Sequence, residues 1–274
     1  LNFNMKILLV EPYYTGSHKQ WANGYQKYSH HEIKILSLKG QFWKWRMHGG
    51  AVTLAKEFDT MDWEPDLILA TDMLDLTTFL SLNREKSHGI PIAIYFHENQ
   101  LSYPWSPEDR DIQKNRDNHY GFINYASALA SDRVFFNSEF HMNSFLDALH
   151  PFLKHFPDHN ELESINIIRN KSSVLHLGMD LQCFDGCKFE KEGEPLILWN
   201  HRWEYDKNPE LFFSVLRKVK NDGYNFVLAV LGENFSKSPI VFEHAKDILK
   251  DEIVQWGYTE SSDEYAEWLW KADI

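Results

Sequence analysis

The sequence predicts an α/β fold: a complete doubly wound unit around a parallel sheet, followed by the opening of a second unit of the same kind. Three observations carry this. Short apolar runs of strand length, such as Lys6–Val10 and Ile92–Phe96, alternate with longer stretches of helical periodicity. The runs are apolar without interruption, which marks strands buried on both faces and therefore parallel. The alternation stops in a Gly, Lys and Glu-rich stretch at 185–195 and restarts beyond it.

Taken in order, Lys6–Val10 is the first strand, broken by Glu11-Pro12-Tyr13-Tyr14-Thr15-Gly16. Ser17 stands where a cap is needed for a helix running through about Tyr28. Further strands are expected at Glu32–Leu38, Asp66–Ala70, Ile92–Phe96, Arg133–Asn137 and Ser173–Leu177. Helices such as Asn118–Ala130 and Glu139–Leu149 lie between them, giving right-handed crossovers. The second unit reads as strand Leu196–Asn200, helix Pro209–Asn221, strand Phe226–Leu231, helix Ile240–Leu249, strand Ile253–Trp256 and helix Ser262–Lys271. The expected domains are 5–188 and 194–274, both Rossmann-like, with the second incomplete. Too few elements follow 194 to cover both faces of its sheet, so the natural chain is expected to start at Met5 and to continue past Ile274.

Composition excludes several classes. Hydrophobic residues are 43% and charged residues 25% of the 274, which rules out a disordered or fibrous chain. A net charge of −12 leaves no general basic coat for nucleic acid or anionic membrane. No apolar run approaches the ~18 residues of a membrane span, and no signal-peptide core is present. Cys183 and Cys187 read as two ordinary thiols in a chain that can bury a core without a disulfide. A soluble, cytoplasmic protein is expected.

Four places in the chain could carry chemistry. Gly16-Ser17-His18, between the first strand and first helix, offers close backbone approach and a helix N-terminus to an anion, or is a plain turn. His97-Glu98-Asn99 follows an apolar strand directly, where ligands bind in open α/β sheets; the alternative is a solvated loop. The segment 39–48 interleaves Lys39, Lys44, Arg46 and His48 with Phe42, Trp43 and Trp45, a pattern suited to phosphates and stacked bases, or to an amphipathic core segment. In the second unit, Arg202 and Lys207 stand just after a strand and before a helix opened by Pro209. They suit a diphosphate, or a surface ion-pair cluster with Glu204, Asp206 and Glu210. His150, His155 and His159 are separated by Pro151 and Pro157, so no aligned metal ligands are expected, and no metal is expected elsewhere. Neither a Gly-x-Ser-x-Gly elbow nor a Walker sequence occurs.

Two Rossmann-like units with an Arg/Lys pair opening the second resemble a retaining GT-B glycosyltransferase of the family-4-like kind. Ala130-Ser131-Asp132-Arg133-Val134, Ala272-Asp273-Ile274, and Leu177-Gly178-Met179-Asp180 with Phe184 resemble phrases of that group. More narrowly, EPYYTGSHKQW (11–21), KWR (44–46), TDMLDL (71–76), YFHENQLSYP (95–104), FNSEFHMNSFL (136–146), HRWEYDKNPE (201–210) and LGENF (231–235) resemble the tRNA-queuosine mannosyltransferase family over essentially the whole chain from Met5.

The resemblance implies a retaining transfer of mannose from GDP-mannose to a queuosine nucleoside in tRNA, with no cofactor or metal required. It implies catalytic roles for His97 and Glu98, with His97 against the transferred sugar. It places Gly16, Ser17, Arg202, Lys207 and Glu233 at the donor, and His18, Lys44, Trp45, Arg46, Asp72 and Asn99 at the acceptor. A Glu-x7-Glu element usual in the second domain of GT-B retaining enzymes would fall just after Ile274, so the 1–274 chain by itself is expected to be inactive. Two other readings remain open: a GT-B enzyme acting on a glycan, lipid or small metabolite, and a non-catalytic RNA-binding module.

Overall fold

In the computed structural model, which describes residues 4–106, 109, 118–186, 193–233 and 238–274, the chain divides into two compact units, Leu1–Met179 and Asp180–Ile274. The division falls ahead of the Gly/Lys/Glu stretch. The first unit holds β1 (Lys6–Tyr14), β2 (Glu32–Lys39), β3 (Leu67–Thr71), β4 (Ile92–Phe96), β5 (Arg133–Phe136) and β6 (Ser172–Val174) in one parallel sheet, ordered β2-β1-β3-β4-β5-β6. Its helices are α1 (Gly16–Tyr28), α2 (Trp43–Thr60), α3 (Leu76–Leu82), α4 (Asn118–Ala130), α5 (Glu139–Lys154) and α6 (Ser164–Lys171).

The uninterrupted apolar runs do what burial on both faces requires. Leu8, Val10, Ile68, Ile94, Phe96 and Phe136 pack with α2 to α6 on one face. Ile7, Leu9, Leu69, Ala93 and Tyr95, one residue out of phase, pack with Ala22, Trp21 and Tyr25 of α1 on the other. Each fully buried aliphatic side chain there is worth roughly 1.5–3 kcal/mol.

Four expectations about element ends are corrected. β1 continues past Val10, because Glu11 pairs with Ser37 and Tyr14 with Lys39. Pro12, which has no N–H to give a ladder, falls within the register shift between Glu11 and Tyr14. Helix α1 begins two residues earlier than a Ser17 cap would set it: Thr15 is the cap residue, with no side-chain cap bond, and Gly16 opens the helix at φ +48°. Helix α5 runs through Pro151 to Lys154 rather than stopping at Leu149. The turn around Pro151 is exposed, so the carbonyl that loses its partner can face water, while buried Leu149 and Leu153 hold the helix to the core. The last strand is shorter than expected, ending at Val174, beyond which Leu175 and Leu177 are exposed.

The second unit holds β7 (Leu196–Trp199), β8 (Val227–Val230) and β9 (Ile253–Trp256) in a parallel sheet, with α7 (Pro209–Asn221), α8 (Val241–Ile248) and α9 (Ser262–Lys271). Trp199, Trp203, Phe213, Phe242 and Trp256 form an aromatic core, with Trp203 stacked on Phe242 at 4.6 Å between ring centroids. Cys183 is exposed and unpaired, and Cys187 lies outside the described residues. None of the described helices is long and apolar enough to cross a membrane.

Candidate active site

The chain leaves β1 toward β2 on one side and returns to place β3 on the other. At such a reversal the carboxyl ends of the strands open a crevice. Polar side chains from four strand ends meet there. Glu11, wholly buried in β1, takes the Tyr13 N–H on Oε1 at 2.8 Å and faces His18 Nδ1 with Oε2 at 3.0 Å. Asp72, directly after β3 and 1% exposed, accepts the His97 backbone N–H on Oδ1 at 2.8 Å. Asn137, directly after β5, donates from Nδ2 to the His97 carbonyl at 2.8 Å. The peptide of His97 is thus held at both ends by side chains from neighbouring strands.

The His97 ring is walled by other rings. His18 lies 4.4 Å away at 47°, Trp21 stands edge-on at 4.6 Å and Tyr95 lies at 4.9 Å. Its Nε2 is buried and has no hydrogen-bond partner among the described residues. From α4, buried Asn124 donates to the Asp72 carbonyl at 2.9 Å and accepts the Gln100 N–H at 2.7 Å, which ties the β3 and β4 loops together.

These contacts fix the charges. Burial, then the positive charge of His18 and the nearness of His141, push His97 down to about 2, so its imidazole is neutral. Burial also opposes a charge on His18, but the hydrogen bond and field of Glu11, with Asp72 and Glu98 behind them, outweigh it and raise His18 to about 9. Burial pushes Asp72 well above the usual carboxylate range; His18 and the His97 N–H pull it down, and Glu98 and Glu11 push it further up. His141, at the start of α5, is lowered to about 4 by burial, and its Nδ1 contacts Asn137 Oδ1 at 3.1 Å. One donor atom each from Glu11, His18 and His97 lies within 4.8 Å of the others, which is cation-site spacing. In this arrangement, however, Glu11 and His18 already form a charge-assisted bond with each other, beside a neutral ring.

Two further regions bear on binding. At the start of α2, Phe42 adopts a left-handed conformation (φ 53°) and is 75% exposed; Trp45 is 63% exposed. A Cβ on Gly49 would stand 2.4 Å from the Trp45 ring, so the missing side chain is what lets the indole lie against the helix. Arg46 Nε bonds the Lys39 carbonyl at 3.0 Å. In the second unit, Gly232 (φ +110°) brings its backbone against the turn after β7: a Cβ there would stand 1.9 Å from the His201 carbonyl oxygen. The Trp203 N–H bonds the Glu233 carbonyl at 3.1 Å. Arg202 meets Glu204 at 3.2 Å and Lys207 meets Asp206 at 2.8 Å, ahead of α7, which Asn208 caps through the Leu211 N–H.

A family model described as the N-terminal part of tRNA-queuosine alpha-mannosyltransferase matches residues 6–179. The tRNA-queuosine alpha-mannosyltransferase of Drosophila melanogaster is 34% identical over 278 residues, spanning 98% of this chain and 72% of that protein. The chain belongs to the tRNA-queuosine alpha-mannosyltransferase family. Among solved structures, a glycosyltransferase from Rickettsia africae is similar at a TM-score of 0.58 and 15% identity, over 99% of this chain and 72% of that one. A trehalose-6-phosphate protein from E. coli bound with UDP-2-fluoro glucose is similar at 0.63 and 11% identity, over 98% and 77%. These likenesses concern the fold, which is GT-B-like as the sequence predicted. The chain is a glycosyltransferase.

For this family member, the first unit brings His18, Asp72, His97 and Glu98 together, with Gly16 and Ser17 exposed at the start of α1 beside them. Asn99 is buried, and its side chain is engaged inside the turn with the N–H groups of Leu101 and Ser102 and the Ser102 hydroxyl. Lys44 does not stand free. Its Nζ meets Asp109 at 2.6 Å and lies 5.2–5.9 Å from the ring centres of Trp105, Trp43 and Tyr120. Arg202, Lys207 and the backbone at Glu233 are neighbours in the second unit. Glu11, Trp21, Asn124, Asn137 and His141 were not singled out from sequence. Asn137 could have been found by the rule that found His97, since it too follows an apolar strand directly. Glu11 could not, because a carboxylate after an apolar run reads as the end of a strand.

Proposed function

We propose that the chain transfers mannose, with retention, from GDP-mannose to a queuosine nucleoside of tRNA. The observation that carries the reading is His97: a neutral imidazole, fixed at both ends of its peptide, with a buried Nε2 that has no partner among the described residues. Such a nitrogen suits a hydroxyl of the transferred sugar, which can supply the missing hydrogen bond. Family membership supports the sugar and acceptor classes.

In this reading Arg202 and Lys207 leave Glu204 and Asp206 for the donor diphosphate, with the backbone near Glu233 beside them. Gly16 and Ser17 offer backbone N–H groups at the start of α1. The acceptor hydroxyl oxygen bonds to the sugar's anomeric carbon on the face from which the carbon–phosphate oxygen bond breaks. Its proton passes to the departing phosphate, whose charge the cations stabilise without a metal. In this reading Glu98 acts with His97 at the transferred sugar, and His18 and Asp72, which share its field, serve the acceptor side. The exposed Trp45 and Phe42 with Arg46 are suited to unpaired bases and phosphates of tRNA.

His97→Ala tests this directly. The full-length protein carrying it should lose transfer about 100-fold or more while binding tRNA as the wild type does. Equal losses in the kinetics and in a gel shift would remove His97 from the chemistry.

A further inference from the structure

Glu11 is a carboxylate sealed inside β1, with Val10 and Pro12 buried on either side of it. A buried ion pair is a poor stability device, since well-packed apolar residues in its place are often as stable. Its presence at the crevice therefore needs another explanation, and its contacts supply one. Oε1 is fixed by the Tyr13 N–H, so Oε2 has a set direction, and His18 Nδ1 lies on it at 3.0 Å. That bond sets the His18 ring plane and places its proton on Nδ1. The same ring packs against His97 at 4.4 Å.

We infer that Glu11 is a positioning residue for sugar transfer: its fixed carboxylate orients the His18 ring through Nδ1, sets how that ring packs against His97, and lets His18 add to burial in keeping His97 an uncharged hydrogen-bonding group. A second proton on His97 would put two positive rings in contact in a buried site, so a charged His18 acts against it. Among the described residues, the groups facing this pair from each packed element are Glu11 and Tyr13 of β1, Asp72 after β3, Tyr95 of β4, Glu98 after β4, His141 of α5 and the Trp21 ring of α1. Of the described carboxylates, Glu11 alone is hydrogen-bonded to His18, and it raises that group most. With Glu11 neutralised, burial becomes the dominant influence on His18 and drives it toward the neutral form. The inference rests on the proposed role of His97 and adds the residue that orients the ring packed against it.

The test uses the full-length protein with carbon-13-labelled histidines. In the wild type, His18 should titrate well above neutral pH, near the value of about 9 given above. In Glu11→Gln it should titrate at or below its ordinary value near 6.5. Transfer by Glu11→Gln should fall about 10–100-fold at pH 8, where His97 is neutral in either protein, because His18 is then uncharged and no longer oriented; a new inflection near neutral pH that the wild type lacks should follow the His18 titration. Glu11→Asp should keep the high His18 titration while losing rate through the shorter reach. A wild-type His18 that titrates at its ordinary value overturns the inference whether or not the variants fold. So does a folded Glu11→Gln with the wild-type pH profile. If His97→Ala retains transfer, the reading of the site fails; if His97→Ala is inactive and Glu11→Gln is unchanged, only the role of Glu11 fails.

Discussion

His97, His18, His141 and Asp72 make stability depend on pH in opposite directions. His97 and His141 are held neutral in the fold, at about 2 and about 4, whereas unfolded histidines take up protons below about 6.5. The unfolded state then binds more protons, so stability is lost as pH falls below 6.5. His18 works the other way. Its folded value is raised, so its contribution is fully present below 6.5 and is lost as pH climbs toward about 9. Asp72 is raised too, and the fold keeps a proton that the unfolded carboxyl has released, so its contribution also declines with rising pH. Denaturant midpoints should therefore be highest near pH 6.5 and lower at both pH 5 and pH 8.5; a protein as stable at pH 8.5 as at 6.5 contradicts these charges. Position showed His97 in the sequence, since polar residues directly after an apolar strand lie at the mouth of the sheet. What position could not show was a charge state set by burial and then by His18 and His141, which the fold and not the local sequence brings to His97.

Among the elements, α2 couples a buried face to an open end. Met47, Ala51, Leu54, Ala55 and Phe58 seat it in the core, while Phe42 and Trp45 at its start remain exposed. Both open readings of the segment 39–48 thus find a part: some of its aromatic residues pack inward, and others stay outside. Lys44 belongs to the inward set, held by Asp109 among three rings. Trp45→Ala should weaken tRNA binding by about 1–3 kcal/mol, the usual worth of one stacked base, with little change in the turnover of saturated enzyme. Unchanged tRNA affinity in a gel shift would show that this surface faces something else. Most strands and helices could be read to within a residue or two, because burial on both faces leaves an uninterrupted apolar run. Two of the misread ends are ones where a tertiary contact overrides local chemistry: Glu11 buried within β1, and Pro151 carried inside α5 by Leu149 and Leu153.

As a whole molecule, the chain carries a net charge of −12, yet its family's name couples it to a polyanionic acceptor. In the proposed reading local cations serve each partner: Lys39 at the end of β2 and Arg46 in α2 the tRNA, and Arg202 with Lys207 in the second unit the donor diphosphate. The division between the units falls after Met179, ahead of the change of composition at 185–195, and each unit shows alternating strands and helices. The donor and acceptor are the claims that most need measurement. Queuosine-containing tRNA should be incubated with the full-length protein and GDP-mannose, then digested to nucleosides and weighed by mass spectrometry. The account predicts that queuosine gains the mass of one hexose, that tRNA lacking queuosine gains nothing, and that His97→Ala abolishes the gain. Queuosine of unchanged mass alongside hexose transfer to a glycan or small metabolite would contradict it.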